Sequence, residues 1–345
     1  IALATARDKP RESVGAQAAP RDDGWDLRGG LAQYYRRDSL DFGGSAGKVD
    51  QAALYTDADV SLRHAGERFD IASRASVNYT YDLSGGDVTP GNYWRTYDLY
   101  VDVADRSLDL SGRLGRQTLR GQGALGRFDG ALLSWQWAPA YRLNLLAGYP
   151  VYATDEGIDT SRHFYGFSVD VLGLFDTVDL NLFMNVQDVD GITDREAIGA
   201  EVRYFGDGRS LVASVDYDYG YQELNSVAAL GNWTLPGRVT LNGMYDYRHA
   251  PYLTTEVALT DQPASSIQEL LQTYTEGQIR QLALDRSGTM QSVAFGASRP
   301  IAERFEVSAD VTVSTYAGTP ESGGVDATED SDTLVYSYLS LIGSS

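Results

Sequence analysis

The chain has 345 residues, 43% of them hydrophobic, and a formal charge of -20. That acidic balance argues against phosphate-backbone binding, which needs a Lys/Arg surface to release counterions, so nucleic acid is not an expected partner. There is no cysteine, and His64, His163 and His249 stand apart without partners at ligand spacing, so neither a metal nor another cofactor is expected and each histidine reads as a loop or turn residue.

Residues 1–24 are polar, carry no sustained period and read as a periplasmic linker. No basic segment followed by an apolar core precedes them, so a signal segment and an upstream domain are expected to lie outside this sequence. From Trp25 onward, apolar and polar residues alternate. In Val178, Leu180, Leu182, Met184 and Val186 one face is apolar, while Asp179, Asn181, Asn185 and Gln187 take the other. Alternate side chains of a strand leave on opposite faces, so such a segment has one oily and one wet side. The pattern predicts strands over 25–39, 52–64, 68–83, 95–105, 108–119, 129–138, 142–152, 163–174, 177–188, 195–205, 210–221, 225–235, 238–249, 289–299, 304–316 and 333–343, sixteen in all. Nowhere is there the run of roughly 20 apolar residues that a spanning helix needs.

The predicted connections alternate in length. Short turns fall at 65–67, 105–107, 139–141, 175–176, 206–208, 236–237 and 299–304, and longer loops at 40–51, 84–94, 120–128, 153–162, 189–194, 250–288 and 317–332. Short turns on one side and long loops on the other are the habit of an up-and-down barrel in an asymmetric membrane. The expected fold is therefore all-β, a transmembrane antiparallel barrel of about sixteen strands occupying residues 25–345, with one helical external loop.

The cost of burial decides which face is which. The polar set comprises Asp57, Asp59, Asp70, Asp98, Asp102, Asp179, Asp216, Asp218, Asp246, Glu306 and Asp310, interspersed with Arg74, Arg113, Arg203 and Arg248. Ten such groups in lipid would cost about 20 to 30 kcal/mol, more than the roughly 5 to 15 kcal/mol that holds a domain together. They are expected to line a lumen of acidic character, with Leu99, Val101, Val103, Leu145, Phe167 and Leu241 among those meeting lipid.

Two segments break the alternation. Within 250–288, Ser266 and Glu269 have capping-box spacing, and Ile267, Leu270, Leu271 and Tyr274 repeat at helical intervals, with Gly277 expected to divide the segment into two short helices. Such a segment either packs on the rim or forms a gate over the pore through those four apolar residues. The acidic, Gly/Ser-rich stretch near 318–333 reads as a solvated external loop. Gly112-Arg113-Leu114-Gly115-Arg116-Gln117 follows strand periodicity with no helix after it, so it is not a phosphate cradle. Its Arg113 is expected to face the lumen and Arg116 the rim near Arg120 and Arg127, as a basic cluster or in ion pairs with Asp109 or Asp129. No nucleophile elbow or Ser/His/Asp constellation can be assembled. Carboxylate pairs such as Asp57/Asp59 recur along many strands, which suits a lining better than a catalytic centre.

The Gly-Arg-Leu-Gly-Arg-Gln strand, followed by Gly126-Arg127-Phe128-Asp129-Gly130-Ala131, resembles segments of bacterial outer-membrane barrels linked to tetratricopeptide repeats. The resemblance spans residues 25–345 in pattern and only those motifs in letters. It implies an architecture like that of the exopolysaccharide exporters: polymer passage through the lumen, no chemistry, and a periplasmic helical-repeat domain or secretion partner attached through residues 1–24. Such barrels end on an aromatic residue, whereas this sequence stops at Ile342-Gly343-Ser344-Ser345, so further strands are expected after it. The expected function is an outer-membrane pore or export channel for a polysaccharide or for polar, cationic solutes, with outer-membrane lipid around it. A plugged, structural or adhesive scaffold is the alternative, and a membrane-embedded hydrolase a third.

Overall fold

A computed structural model of the protein describes residues 24–41, 48–84, 91–119, 121, 123, 126–302 and 305–343. Residues 1–23 of the expected linker over 1–24, Arg120 and the last two serines lie outside the described residues. Sixteen strands follow one another: β1 (Trp25–Asp41), β2 (Lys48–Ala65), β3 (Phe69–Asp82), β4 (Tyr93–Asp105), β5 (Leu110–Thr118), β6 (Arg127–Ala138), β7 (Tyr141–Pro150) and β8 (Arg162–Leu174). Then come β9 (Val178–Val189), β10 (Ile192–Gly206), β11 (Arg209–Asp218), β12 (Glu223–Leu235), β13 (Val239–Ala250), β14 (Gly288–Ala302), β15 (Phe305–Tyr316) and β16 (Leu334–Gly343). They hydrogen-bond in sequence order as one antiparallel up-and-down sheet. By compactness the chain divides into two units, one reaching to residue 117 with 131–135 and 153–157, the other comprising 118–130, 136–152 and 158 onward.

Burial runs opposite to that of a water-soluble sheet. Along β9, Asn181, Asn185 and Gln187 are buried while Leu182 is 47% exposed. Along β4, Leu99, Val101 and Val103 are all exposed, and Asp98 and Asp102, which alternate with them, are partly covered. The two-residue period keeps each set on its own side, so the sheet presents apolar side chains on one face and polar groups on the other.

The connection between β9 and β10, expected as a loop over 189–194, is a two-residue turn. Asp190 (φ 51°) and Gly191 (φ 85°) both take positive φ. Such a turn matches the twist of the flanking strands and favours an Asp-Gly pair. The connection between β11 and β12 is also short, with Asp218 Oδ1 accepting the amides of Gly220 and Tyr221 at 2.9 and 3.0 Å.

The segment between β13 and β14 holds a 3-10 turn (Thr255–Leu259) that the sequence pattern had not suggested, then α1 (Ile267–Leu270) and α2 (Glu276–Asp285). Two helices were expected, but Gly277 does not separate them: it lies inside α2, and the break falls just before Thr275. Ser266 does cap α1 by accepting the Glu269 amide, yet the Glu269 carboxylate takes the Ser265 amide instead of closing the box. The reciprocal box is Thr275 with Gln278, at the start of α2. Ile267, Leu270, Ile279, Leu282, Val257 and Leu253 pack with Val189 and Tyr221 into a small apolar core. That core fastens the insertion over the short β9/β10 and β11/β12 turns.

Candidate functional site

The polar wall of the first unit is built from cross-strand ion pairs. Asp59 on β2 receives Arg74 of β3 at 2.8 Å, and the same guanidinium lies 3.8 Å from Asp98 of β4. Asp102 takes Arg113 of β5 at 2.7 Å, and Arg113 also lies 4.4 Å over the Tyr100 ring. Its partner is therefore Asp102 and not Asp109. Asp57 accepts from Asn78 at 2.8 Å, and Asp70 holds Arg106 at 2.6 Å. Arg116 is buried and donates to the Glu156 carbonyl at 3.2 Å, so it does not stand free at a rim.

In the second unit the remaining expected wall residues divide into two groups. Asp179 accepts the Gly173 amide at 2.8 Å, Arg203 pairs with Glu201 at 3.2 Å, Arg248 pairs with Asp246 at 3.2 Å, and Asp310 lies 3.5 Å from the Asn242 amide nitrogen. Glu306 is exposed. Asp216 and Asp218, by contrast, are 6% and 0% exposed, covered rather than open to an aqueous path. Asp218 is engaged with backbone amides, whereas Asp216 pairs with the buried Arg195.

Two β-bulges explain how the insertion is seated. On β10, Thr193 faces Asp188 and Arg195 faces Gln187 of β9, leaving Asp194 as an extra residue. On β12, Ser226 faces Asp216 and Leu224 faces Tyr217 of β11, leaving Asn225 extra. A bulge bends the strand and re-aims a side chain that the two-residue period would have sent elsewhere. Both extra residues are buried and both hold the insertion's backbone. Asp194 Oδ1 accepts the Glu256 amide at 3.2 Å, and Asn225 both accepts from the Leu253 amide and donates to its carbonyl, at 3.2 Å each. The Thr255 hydroxyl donates to the Thr193 carbonyl at 3.0 Å, and Asp190 Oδ2 accepts the Ile267 amide at 3.1 Å.

Charge completes the seat. Arg162 of β8 pairs with Glu256 of the insertion and, at 3.3 Å, with Asp159. Burial, reinforced by Asp194, Asp159 and Asp190 and opposed by Arg162, pushes the Glu256 carboxyl up to about 7. Burial likewise pushes the Tyr152 and Tyr252 phenols up to about 12, and both hydroxyl oxygens accept, from Gln187 Nε2 at 3.2 Å and from Arg195 Nη2 at 3.4 Å. The Tyr252 ring lies 5.5 Å from the Arg195 guanidinium, which also donates to the Gly123 carbonyl at 3.2 Å.

Ile267 and Leu270, half of the expected gate, are buried in the insertion's own core, and Leu271 and Tyr274 pack on that core half-buried. What meets the polar wall is the earlier stretch, Tyr252 to Glu256, which sequence reasoning missed. Its signal was only a lack of period between two clear segments.

Beside Arg195 lies a cavity of about 140 Å³, lined by the Glu201 and Asp216 carboxylates, the hydroxyl-bearing Ser214, Ser226 and Tyr252, and the Phe183 ring. Gly121 and Gly123 bring backbone to its edge with φ of +98° and +70°. A Cβ at Gly123 would meet Phe183 at 2.3 Å, so only glycine allows this approach. The three histidines all lie on strands, and among the described residues no group of three or more His, Asp or Glu side chains is placed to hold a metal ion.

No protein-family model and no curated protein matches the sequence. Among solved structures the chain is similar to OprB of Pseudomonas putida, with 10% identity over 93% of this chain and 94% of that one, and a TM-score of 0.47. It is also similar to the anion-selective porin of Comamonas acidovorans (10% identity, 93% and 99% covered, TM-score 0.43). A third is the outer-membrane protein OpdK of Pseudomonas aeruginosa (13% identity, 92% and 98% covered, TM-score 0.43). Likenesses this distant assign no substrate to this chain.

Proposed function

We propose that the sixteen strands close into a barrel in the bacterial outer membrane and that the protein is a channel, not an enzyme, for small polar solutes. One observation carries this reading: along the strands, large apolar side chains stand exposed on one face while charged and amide side chains pair on the other. A water-soluble protein rarely exposes more than a few hundred Å² of contiguous apolar surface. In lipid that face is favourable, and the outer strands of the sheet have to find partners because an open edge is not tolerated there. Among the described residues no helix is long and apolar enough to cross a membrane.

On this reading residues 25–345 form the barrel, 250–288 an external insertion seated on the polar wall, and 1–24 a periplasmic linker. The polar face is the lumen wall, with the aspartates and arginines named above along it. Because most of those carboxylates already face a guanidinium, cation preference arises from the uncompensated remainder of the -20 charge and is modest. Small solutes are favoured over a polysaccharide by the seated insertion, which covers part of the wall a polymer would slide along. A helical-repeat or secretion partner rests on the sequence resemblance alone.

Planar-bilayer recording of the refolded protein tests the reading. The expected result is stable conductance steps with a reversal potential toward that of K⁺ in a KCl gradient, and larger steps after deletion of residues 265–285. A silent barrel would point to the plugged scaffold, and a reversal toward Cl⁻ would remove the cation preference.

A further inference from the structure

We infer that the loop between β15 and β16 is a latch on the insertion, which works as a lid released at this loop before it is released at its seat. The inference goes beyond the channel reading and rests on it only for the effect on conductance. The loop, acidic and Gly/Ser-rich, is folded into an arm. The Thr328 amide donates to the Thr319 carbonyl and the Thr319 amide to the Thr328 hydroxyl, both at 2.8 Å. Asp330 Oδ1 accepts the Gly318 amide at 2.8 Å, and Ser331 Oγ accepts the Tyr316 amide at 3.0 Å. At the tip Ser322 and Val325 exchange two backbone bonds, at 3.1 and 3.0 Å, around Gly323 and Gly324. Both glycines take positive φ, 58° and 80°, as a tight two-residue hairpin turn requires.

That tip lands on the insertion. Gln262 Nε2 donates to the Gly323 carbonyl at 2.9 Å, and Ser322 Oγ donates to Asp285 Oδ2 at 2.6 Å. Arg286, just after α2, is 6% exposed and joins three pieces. Its Nη1 donates to the Ala258 carbonyl of the 3-10 turn and its Nη2 to the Ser322 carbonyl at 3.3 Å. A Cβ at Gly323 would come within 2.6 Å of Leu282 and 2.8 Å of Arg286 Nη2, so the tip fits closely.

The two attachments differ in kind. At the seat Asp194 and Asn225 are 1% and 0% exposed, and Val189 and Tyr221 join the insertion's apolar core. Among the described residues the arm adds none to that core; it holds by polar contacts at a half-buried serine and an exposed glycine. Water competes for such bonds, so the arm lets go first. The insertion's ends stay tied at their base, where Ser287 Oγ donates to the Pro251 carbonyl and Tyr316 Oη to the Ala250 carbonyl, each at 2.6 Å. Residues 252–286 are thereby left to move as one piece about that base.

The sequence has no cysteine, so the double variant Asp285→Cys with Ser322→Cys offers only two thiols to a mild oxidant such as diamide. In the full chain, folded in detergent micelles, trypsin cleavage after Arg280 reads release of the insertion, and planar-bilayer recording reads its effect on the pore. The expected result is a crosslink that slows cleavage at least about tenfold and lowers conductance, with a reductant reversing both. Gly323→Ala, which pushes the tip off, should speed cleavage about tenfold and raise conductance, as for loss of two hydrogen bonds. Gln262→Ala, which leaves the turn intact, should act in the same direction by about threefold. Resistance of the strands to the same protease confirms the fold of each variant. No crosslink, a crosslink that leaves cleavage unchanged, or parental cleavage in both single variants would overturn the inference. The two readings fail separately: a silent barrel whose crosslink still protects Arg280 keeps the latch and loses the channel, and a conducting barrel whose cleavage ignores crosslink and substitutions loses only the latch.

Discussion

The polar walls of the two units use the same residue types in different surroundings. In the first unit Arg74 and Asp59 pair with 46% and 50% of their side chains exposed, in reach of water and salt. In the second, Arg195 and Asp216 pair at 2% and 9%, beneath the insertion. A half-exposed pair is worth about 0–1 kcal/mol, because solvent screens it and ordering two long side chains costs entropy. A covered pair behaves differently: breaking it strands a charge that water cannot reach. The difference is set by what lies over the wall.

The comparison can be broken most directly at Arg195. Arg195→Ala should destabilise the protein by about 3–5 kcal/mol in urea unfolding, because Asp216 is left buried and uncompensated. The double variant with Asp216→Ala should recover part of that loss. A loss below about 1 kcal/mol would place the two walls in one class.

A smaller effect is expected at the Arg162–Glu256 clasp, where the sign can be worked out. The Glu256 carboxyl, normally near 4.5, is raised to about 7 in the folded protein, so its contribution to the seat is complete below about pH 4.5 and is lost as pH rises through about 7. Trypsin cleavage after Arg280, corrected for the protease's own pH profile, should therefore be slower at pH 6 than at pH 8.5. Glu256→Gln should remove most of the difference, and protection that grows with pH would contradict the arrangement. The smallest effect belongs to the first unit: Arg74→Ala should change unfolding stability by less than about 1 kcal/mol, and less still in 0.5 M salt.

The sheet was legible because a two-residue period is local: Val178 to Gln187 announces its two faces without reference to anything else. The bulges were not, because an extra residue appears in the sequence only as a slip of phase, and Thr193-Asp194-Arg195 is polar whichever residue is the extra one. Asp190-Gly191 did carry its hairpin signal, but the acidic residues around it read as a longer loop. For the insertion, helix formation could be read from Ile267 and Leu270, whereas its seat depends on Asn225, Asp194 and Arg162, residues far away in sequence. The cavity was the least legible feature, since Gly121 and Gly123 matter only through their approach to Glu201 and Phe183.

The insertion's anchors lie on Arg162 of β8, Asp190 in the β9/β10 turn, Asp194 at the start of β10, and Asn225 of β12, so no single hairpin presents the whole seat. Five neighbouring strands must already be in register before residues 252–267 find all their partners. Docking of this segment is therefore a late event in assembly, one that records whether the strands beneath it have paired correctly.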